Sequence, residues 1–204
     1  MVLAHALDFP KVEPDDWNVF WNIWSQHAKP LIKYVNEGTT PWGSASKLGS
    51  RDHWIGLEVY HNNLRTNWIA PFVDISKSLP NMYKALLPAE IPNIKKVRII
   101  QSIMPHPPHS DKGIDFWEIR AMLQCDNPSE HWYYTPYGNK TKKLPLKLPN
   151  ETNWFTYNDG NCHHGTEYFP LRPKYLVQIY YTGELATEIR TRGINKYPDC
   201  VIEI

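Results

Sequence analysis

The sequence predicts a mainly β protein in which two packed sheets form a jelly-roll architecture, with helices outside it. Eighteen prolines divide the 204 residues into short segments, and prolines are poorly tolerated inside long helices. Nine tryptophans and twelve tyrosines supply large aromatic anchors of the kind that suit short strands. The last two thirds of the chain is a succession of short strand-like segments joined by turns, which is typical of double-sheet proteins.

Two helical segments are predicted in the first half of the chain. Asp15 and Asp16 are good capping residues, and four aromatic residues follow them at helical spacing: Trp17, Phe20, Trp21 and Trp24. That spacing places the aromatic side chains on one face, so we expect it to pack on the core. Residues 71–87 predict a second helical stretch. Between the two helices, Gly38 to Ser50 is rich in Gly, Ser and Thr and is expected to be a loop, which makes it a candidate border of a functional site.

Seven segments have the composition and the apolar pattern of strands. They are His53 to His61, Lys96 to Met104, Phe116 to Cys125, Glu130 to Tyr137, Leu144 to Leu148, Asn153 to Tyr157 and Lys174 to Thr182. The fourth runs into a turn at Pro136 to Asn139, where proline, glycine and asparagine occur together. The last is the strongest strand signal in the chain.

Composition indicates one globular domain over residues 1–204, because 42% hydrophobic residues are enough for a core and domains typically hold roughly 100 to 200 residues. The formal charge of +1 provides no overall field for nucleic acid or a membrane. A nucleic-acid partner is therefore not expected, although one local basic cluster is present: Lys140, Lys142, Lys143 and Lys147. Oligomeric state is left open.

The cysteines and the first residues predict a cytoplasmic protein. Cys125, Cys162 and Cys200 are odd in number and widely spaced, so neither a disulfide framework nor a thiolate metal site is expected. Residues 1–10 lack the basic start and the apolar stretch of a signal peptide. No apolar run approaches the ~20 residues that a membrane-spanning helix needs.

Three side chains form a candidate metal site. His109 and Asp111 are two residues apart just after a predicted strand, and on extended backbone this spacing points both side chains to the same face. His164 lies 53 residues after Asp111 and precedes the strand that begins at Lys174. Two histidines and one carboxylate are the ligand set of non-haem Fe(II) oxygenases, which keep open positions for a co-substrate and oxygen.

Residues 94–182 resemble the Fe(II)/2-oxoglutarate-dependent dioxygenase superfamily. The resemblance rests on His109-x-Asp111, on His164 with the loop and strand that follow it, and on a basic residue ten positions later, Lys174. It implies a double-stranded β-helix of the cupin-like type, with its metal-binding core at about 94–182, and makes His109, Asp111 and His164 the catalytic iron ligands. In the prolyl 4-hydroxylase branch a lysine at the position of Lys174 binds the 2-oxoglutarate carboxylate.

Two other cations are candidates for that carboxylate. Arg172 lies close to Lys174, and the strand around Arg120 resembles the aspartyl/asparaginyl β-hydroxylase branch, where an arginine after the metal-binding turn contacts the co-substrate. The other interpretation of Arg120 is an exposed strand arginine in an ion pair, which is typically worth only ~0 to 1 kcal/mol.

The resemblance implies an oxygenase that converts 2-oxoglutarate and O2 to succinate and CO2 while hydroxylating a protein or peptide side chain or a free amino acid. Asp111 favours hydroxylation, because halogenating members of the superfamily have a small residue at that position. Two alternatives remain open. One is a cupin-like metal enzyme that does not use 2-oxoglutarate, and the other is a non-catalytic jelly-roll binding or structural protein.

The histidines near the candidate ligands leave one choice open. His163 and His164 are adjacent, and only one of them can face the metal, because neighbouring side chains on extended backbone point to opposite sides; His164 is favoured. His106, flanked by prolines, is expected in a turn at the rim of the site. Asp159 to Asn161 is expected to form the turn that presents His164, with a hydrogen bond from this segment to the imidazole as a possibility.

Overall fold

The computed structural model describes residues 1–13, 54–61, 77, 80–81, 94–102, 106–110, 117–124, 132–139, 141–166, 174–181 and 187–204. Eleven strands and one α-helix have defined bounds in this part of the chain. The strands are β1 Val2–Ala6, β2 Trp54–His61, β3 Ile94–Ser102, β4 His106–His109, β5 Trp117–Gln124, β6 Trp132–Pro136, β7 Leu144–Pro145, β8 Trp154–Asn158, β9 Cys162–Thr166, β10 Lys174–Tyr181 and β11 Ile202–Glu203. The helix α1 is Thr187–Lys196, and a 3-10 turn follows at Pro198–Cys200.

The strands form two antiparallel sheets. The large sheet has the order β11-β1-β8-β5-β10-β3-β2, and the small sheet has the order β4-β9-β6-β7. From β3 to β10 the chain visits the large sheet, the small, the large, the small twice, the large, the small and the large. This path through eight strands is the jelly-roll topology, so the expected double-stranded β-helix is confirmed; β2, β1 and β11 extend its large sheet.

All seven predicted strands are present, with bounds that differ by a few residues. The shortest is β7, where only Leu144–Pro145 of the predicted segment pairs with β6. Lys77, Pro80 and Asn81 are helical, in agreement with the predicted helix at 71–87. The aromatic helix at 17–24 and the loop at 38–50 lie outside the described residues.

The expectation that His106 belongs to a turn is wrong, because this residue begins β4. Pro107 and Pro108 follow it, and a proline cannot donate to a strand ladder. Since β4 is an edge strand of the small sheet among the described residues, these prolines need no partner on its outer side, which is where prolines are tolerated in sheets.

The interior between the two sheets is largely aromatic. Met122 and Phe155 from the large sheet pack in one cluster with Trp132, Tyr134 and Tyr157, all nearly or fully buried. Burying a large apolar side chain contributes about 1.5 to 3 kcal/mol each, so this cluster is a main source of stability. Two of its members, Trp132 and Tyr157, also lie against His164.

The turn after β6 has the predicted form. The amide of Asn139 donates to the carbonyl of Pro136 at 3.0 Å, and Gly138 has a φ of +81°, a value that glycine adopts without strain.

None of the described helices is long and apolar enough to cross a membrane.

Candidate active site

His109 and His164 meet on neighbouring strands of the small sheet. They are directly paired in the β4–β9 ladder, so their side chains leave the sheet on the same face. Their ring centroids are 4.4 Å apart, with the rings tilted by 52°. His164 is buried and lies 4.7 Å from the ring of Tyr157. Two of the three predicted metal ligands are therefore in contact.

Of the two adjacent histidines, His164 faces the interior. His163 leaves β9 on the other side, where its ring stacks on Tyr137 at 5.0 Å with an interplanar angle of 9°. Tyr137 is 68% exposed. His164 is thus the histidine in contact with His109, as the sequence favours.

His164 is electrically neutral at neutral pH. The pKa of its imidazole is lowered to about 4, because burial lowers it most and the charges of Arg120 and His109 lower it as well, while Asp159 and Glu118 act in the opposite direction. A neutral imidazole has a free lone pair on one ring nitrogen, which is the form that binds metal ions. The side chain can therefore act as a ligand without first losing a proton.

Arg120 is buried beside His164. It lies on β5, where its Nε donates to Glu118 Oε1 at 2.6 Å, and its Nη2 lies 3.4 Å from His164 Nε2. Its guanidinium is 4.9 Å from the ring centroid of Trp132 and 5.1 Å from that of Tyr157, within cation–π range. The interpretation of Arg120 as an exposed arginine is wrong, because β5 is a central strand and Arg120 is only 5% exposed.

Three buried polar atoms near Arg120 have no hydrogen-bond partner among the described residues: Trp132 Nε1, Tyr134 OH and Gln178 Oε1. Gln178 on β10 is paired with Arg120 on β5. Burial also raises the pKa of Tyr134 well above its usual value, so its hydroxyl stays a donor. Buried polar groups are normally satisfied, and this cluster is therefore suited to a polar group of a ligand.

Glu118 and Gln178 are buried polar residues of the site that were not predicted from the sequence. A signal was present for Gln178, which interrupts the apolar run of the strongest strand, but a single glutamine does not reveal whether it faces the interior or the solvent.

The other predicted site residues are described in part or not at all. Lys174 is the first residue of β10 and is paired with Ser102 of β3, but its side chain lies outside the described part of the structure. Asp111 and Arg172 lie outside it altogether. Within the described ranges, no group of three His, Cys, Asp or Glu side chains is arranged to hold a metal ion.

No protein-family model matches the sequence, and no curated protein matches it either. Among solved structures, the chain is similar to a prolyl hydroxylase from Trichoplax adhaerens in complex with a hypoxia inducible factor oxygen degradation domain peptide fragment, with a TM-score of 0.41 and 10% identity over 84% of this chain and 95% of that one. It is also similar to OsALKBH1, with a TM-score of 0.36 and 14% identity over 66% of this chain and 82% of that one. Superpositions this loose carry no conclusion about function, and the fold class rests on the strand order.

Proposed function

We propose that the chain is an Fe(II)- and 2-oxoglutarate-dependent oxygenase that hydroxylates a protein or peptide side chain or a free amino acid. The observation that carries the proposal is the contact between His109 and His164 on the inner face of a double-stranded β-helix. Asp111 follows His109 by two residues and is proposed as the third ligand. Residues 1–204 are proposed to form a single domain.

The donor types fit a ferrous ion. Two imidazole nitrogens and one carboxylate oxygen match the ligand set of non-haem iron oxygenases, and burial keeps His164 neutral. When bound, iron supplies the redox chemistry that couples decarboxylation of 2-oxoglutarate, to succinate and CO2, to hydroxylation of the substrate by O2.

The side chains around the proposed ligands would bind and orient 2-oxoglutarate and keep water out of the site. Lys174 is the first candidate for the carboxylate of 2-oxoglutarate that lies away from the metal, with Arg172 and Arg120 as the others, because a charge-assisted contact to a carboxylate needs a cation. The position of Arg120 also supports a role in binding this carboxylate. Its Nη2 is 3.4 Å from a ligand imidazole, so a carboxylate that it binds lies beside the metal ligands.

Aromatic side chains around His164 also support a site that excludes water. Trp132 stacks on His164 with a centroid distance of 6.4 Å and an interplanar angle of 15°, and Tyr157 covers another side. Such rings restrict the imidazole and keep bulk water away from it. In a dry site the attraction between Arg120 and a bound carboxylate is stronger than in water.

Metal binding and 2-oxoglutarate turnover test the proposal together. Protein loaded anaerobically with Fe(II) is expected to release succinate only when both O2 and 2-oxoglutarate are supplied. The assay is run once without a further substrate and once with a mixture of peptides and amino acids. Calorimetry with Mn(II) is expected to show one site per chain. His109→Ala and His164→Ala should each lose both properties, whereas the control His163→Ala should keep them, because that ring stacks on Tyr137.

Two outcomes would replace the proposal. Metal uptake without succinate formation supports a cupin-like enzyme that does not use 2-oxoglutarate. No uptake of Fe(II), Mn(II) or Co(II) by the wild-type chain supports a non-catalytic jelly-roll protein.

A further inference from the structure

The turn that leads into β9 has a fixed backbone. The amide of Gly160 donates to Asn158 Oδ1 at 3.1 Å, and the amide of Asn161 donates to the carbonyl of Asn158 at 3.2 Å. A neighbouring turn is joined to it, because the amide of Tyr137 donates to the carbonyl of Asn161 at 3.1 Å. The first residue of this turn, Asp159, directly follows the last residue of β8 and is therefore held in a defined position.

Asp159 is buried next to His164. It is 1% exposed, and its Oδ1 lies 3.6 Å from His164 Nδ1. This distance is longer than a normal hydrogen bond. It is nevertheless short enough for a strong electrostatic effect in a buried site, where water screens little.

The two nitrogens of the His164 ring have opposite surroundings. Nδ1 is near a carboxylate, which accepts protons, while Nε2 is 3.4 Å from Arg120 Nη2, which can only donate. A neutral imidazole carries one N–H and one lone pair. Both neighbours therefore favour the form with the proton on Nδ1 and the lone pair on Nε2.

We propose that Asp159 is a positioning residue for the proposed metal site: it holds His164 with Nδ1 protonated and so keeps the proton off Nε2, the nitrogen that would bind the metal in place of its contact with Arg120 Nη2. The inference rests on the proposed function, because it assigns a role toward the same ion. It extends that proposal to a residue that is not a ligand. Partners of this kind orient metal-binding histidines, and their loss typically weakens metal binding by about 10- to 100-fold.

Two measurements test the role of Asp159, and the first needs no metal. In metal-free protein with ¹⁵N-labelled histidine, long-range ¹H–¹⁵N spectra are expected to show His164 protonated on Nδ1. Asp159→Ala should raise the fraction protonated on Nε2. The second measurement is Mn(II) and Co(II) affinity by calorimetry, which should fall about 10- to 100-fold in this variant.

Asp159→Asn serves as a second variant if Asp159→Ala does not fold, because it keeps the size of the side chain and removes the charge. The matched control is Asp199→Ala, an exposed aspartate in the 3-10 turn, which should leave both readouts at wild-type values. Thermal unfolding of each metal-free variant identifies any general loss of structure.

The outcomes separate this inference from the proposed function. A wild-type chain that binds no metal contradicts the proposed function. A wild-type chain that binds metal, with an Asp159 variant that is equal to it in either affinity or ring protonation, contradicts the positioning role alone. The same holds if wild-type His164 is protonated on Nε2.

Discussion

Arg120 and Glu118 form a buried ion pair where a jelly roll ordinarily has apolar side chains. Removing two charges from water costs free energy that their attraction only partly offsets, so such a pair is weak evidence for stability. The pair lies beside His164 instead of at the surface. Its position is therefore better explained by binding than by folding.

Breaking this pair on one side should be strongly destabilising. Arg120→Met leaves the Glu118 carboxylate, which is 0% exposed, without its arginine, and we expect a loss of about 3 to 5 kcal/mol in the free energy of unfolding. The double variant Glu118→Gln/Arg120→Met should lose clearly less. Urea unfolding of the wild type, both single variants and the double variant measures the difference.

The control for this cycle is Arg192→Met. Arg192 Nε lies 3.5 Å from Asp8 Oδ2 in a pair whose arginine side chain is 38% exposed, and such pairs contribute about 0 to 1 kcal/mol. If Arg120→Met were no less stable than Arg192→Met, the expected loss of about 3 to 5 kcal/mol from breaking the buried pair would be contradicted.

Among the elements, the two strands that carry His109 and His164 were not predicted from the sequence. β4 is the segment His-Pro-Pro-His, and β9 is Cys-His-His-Gly-Thr. Neither has the alternation of apolar and polar residues by which strands are recognised, because ligand candidates occupy the positions where apolar side chains would be. The turn before β9 could still be predicted, since it depends on local sequence, and local spacing also made His109 and His164 candidate ligands.

The helix α1 shows a contact that sequence reasoning could not find. Gly193 lies against β1, and a Cβ built on it would be 2.5 Å from the carbonyl oxygen of Ala6 and 3.3 Å from His5 Nδ1. The absence of a side chain there lets the helix approach the strand closely. A glycine within a helix otherwise costs stability relative to alanine.

Gly193→Ala should therefore destabilise the protein. The usual gain of about 1 kcal/mol for glycine to alanine in a helix is expected to be outweighed by the clash with a backbone oxygen, with a net loss of about 1 to 3 kcal/mol. Thermal and urea unfolding measure it. Thr191→Ala, at an exposed position of the same helix, should be neutral or slightly stabilising, and an equal gain in Gly193→Ala would show that α1 and β1 are less tightly packed.

For the molecule as a whole, the sequence predicted the architecture but not the strand order. The strong strand β10 is paired on both sides, with β3 and β5, as its apolar composition suggests. The partners themselves are distant in sequence, and no local pattern specifies them. The interior positions of Glu118 and Gln178 depend on that pairing, which is why they became evident only in the fold.

Acid should destabilise the metal-free protein before its carboxylates titrate. The pKa of His5 is lowered from 6.5 to about 4, because burial, together with the charge of Arg190, outweighs the hydrogen bond with the Ala6 carbonyl, which raises it. The folded protein thus keeps His5 neutral while the unfolded chain takes up a proton. Stability is expected to fall as the pH drops from about 6.5 towards 4, by up to about 3 kcal/mol from this residue.

Urea unfolding between pH 7.5 and 4.5 measures this dependence. The pKa of His164 is lowered in the same direction, so its contribution adds to that of His5. His5→Asn should have a smaller slope than the wild type. Equal slopes in the two proteins would show that His5 is not held neutral in the folded state.

The two histidines in contact are anchored unequally. His164 lies on β9, which is hydrogen-bonded on one side to β4 and on the other to β6, whereas His109 is the last residue of β4, an edge strand in the described part of the small sheet. Backbone at a sheet edge opens more readily than backbone at its centre. Amide exchange with deuterated solvent should accordingly be slow at residue 164 with or without a metal ion. At residue 109 it should become slow only when a metal ion is bound. His164 would then be the ligand held in place before binding, and His109 the ligand that becomes fixed by it.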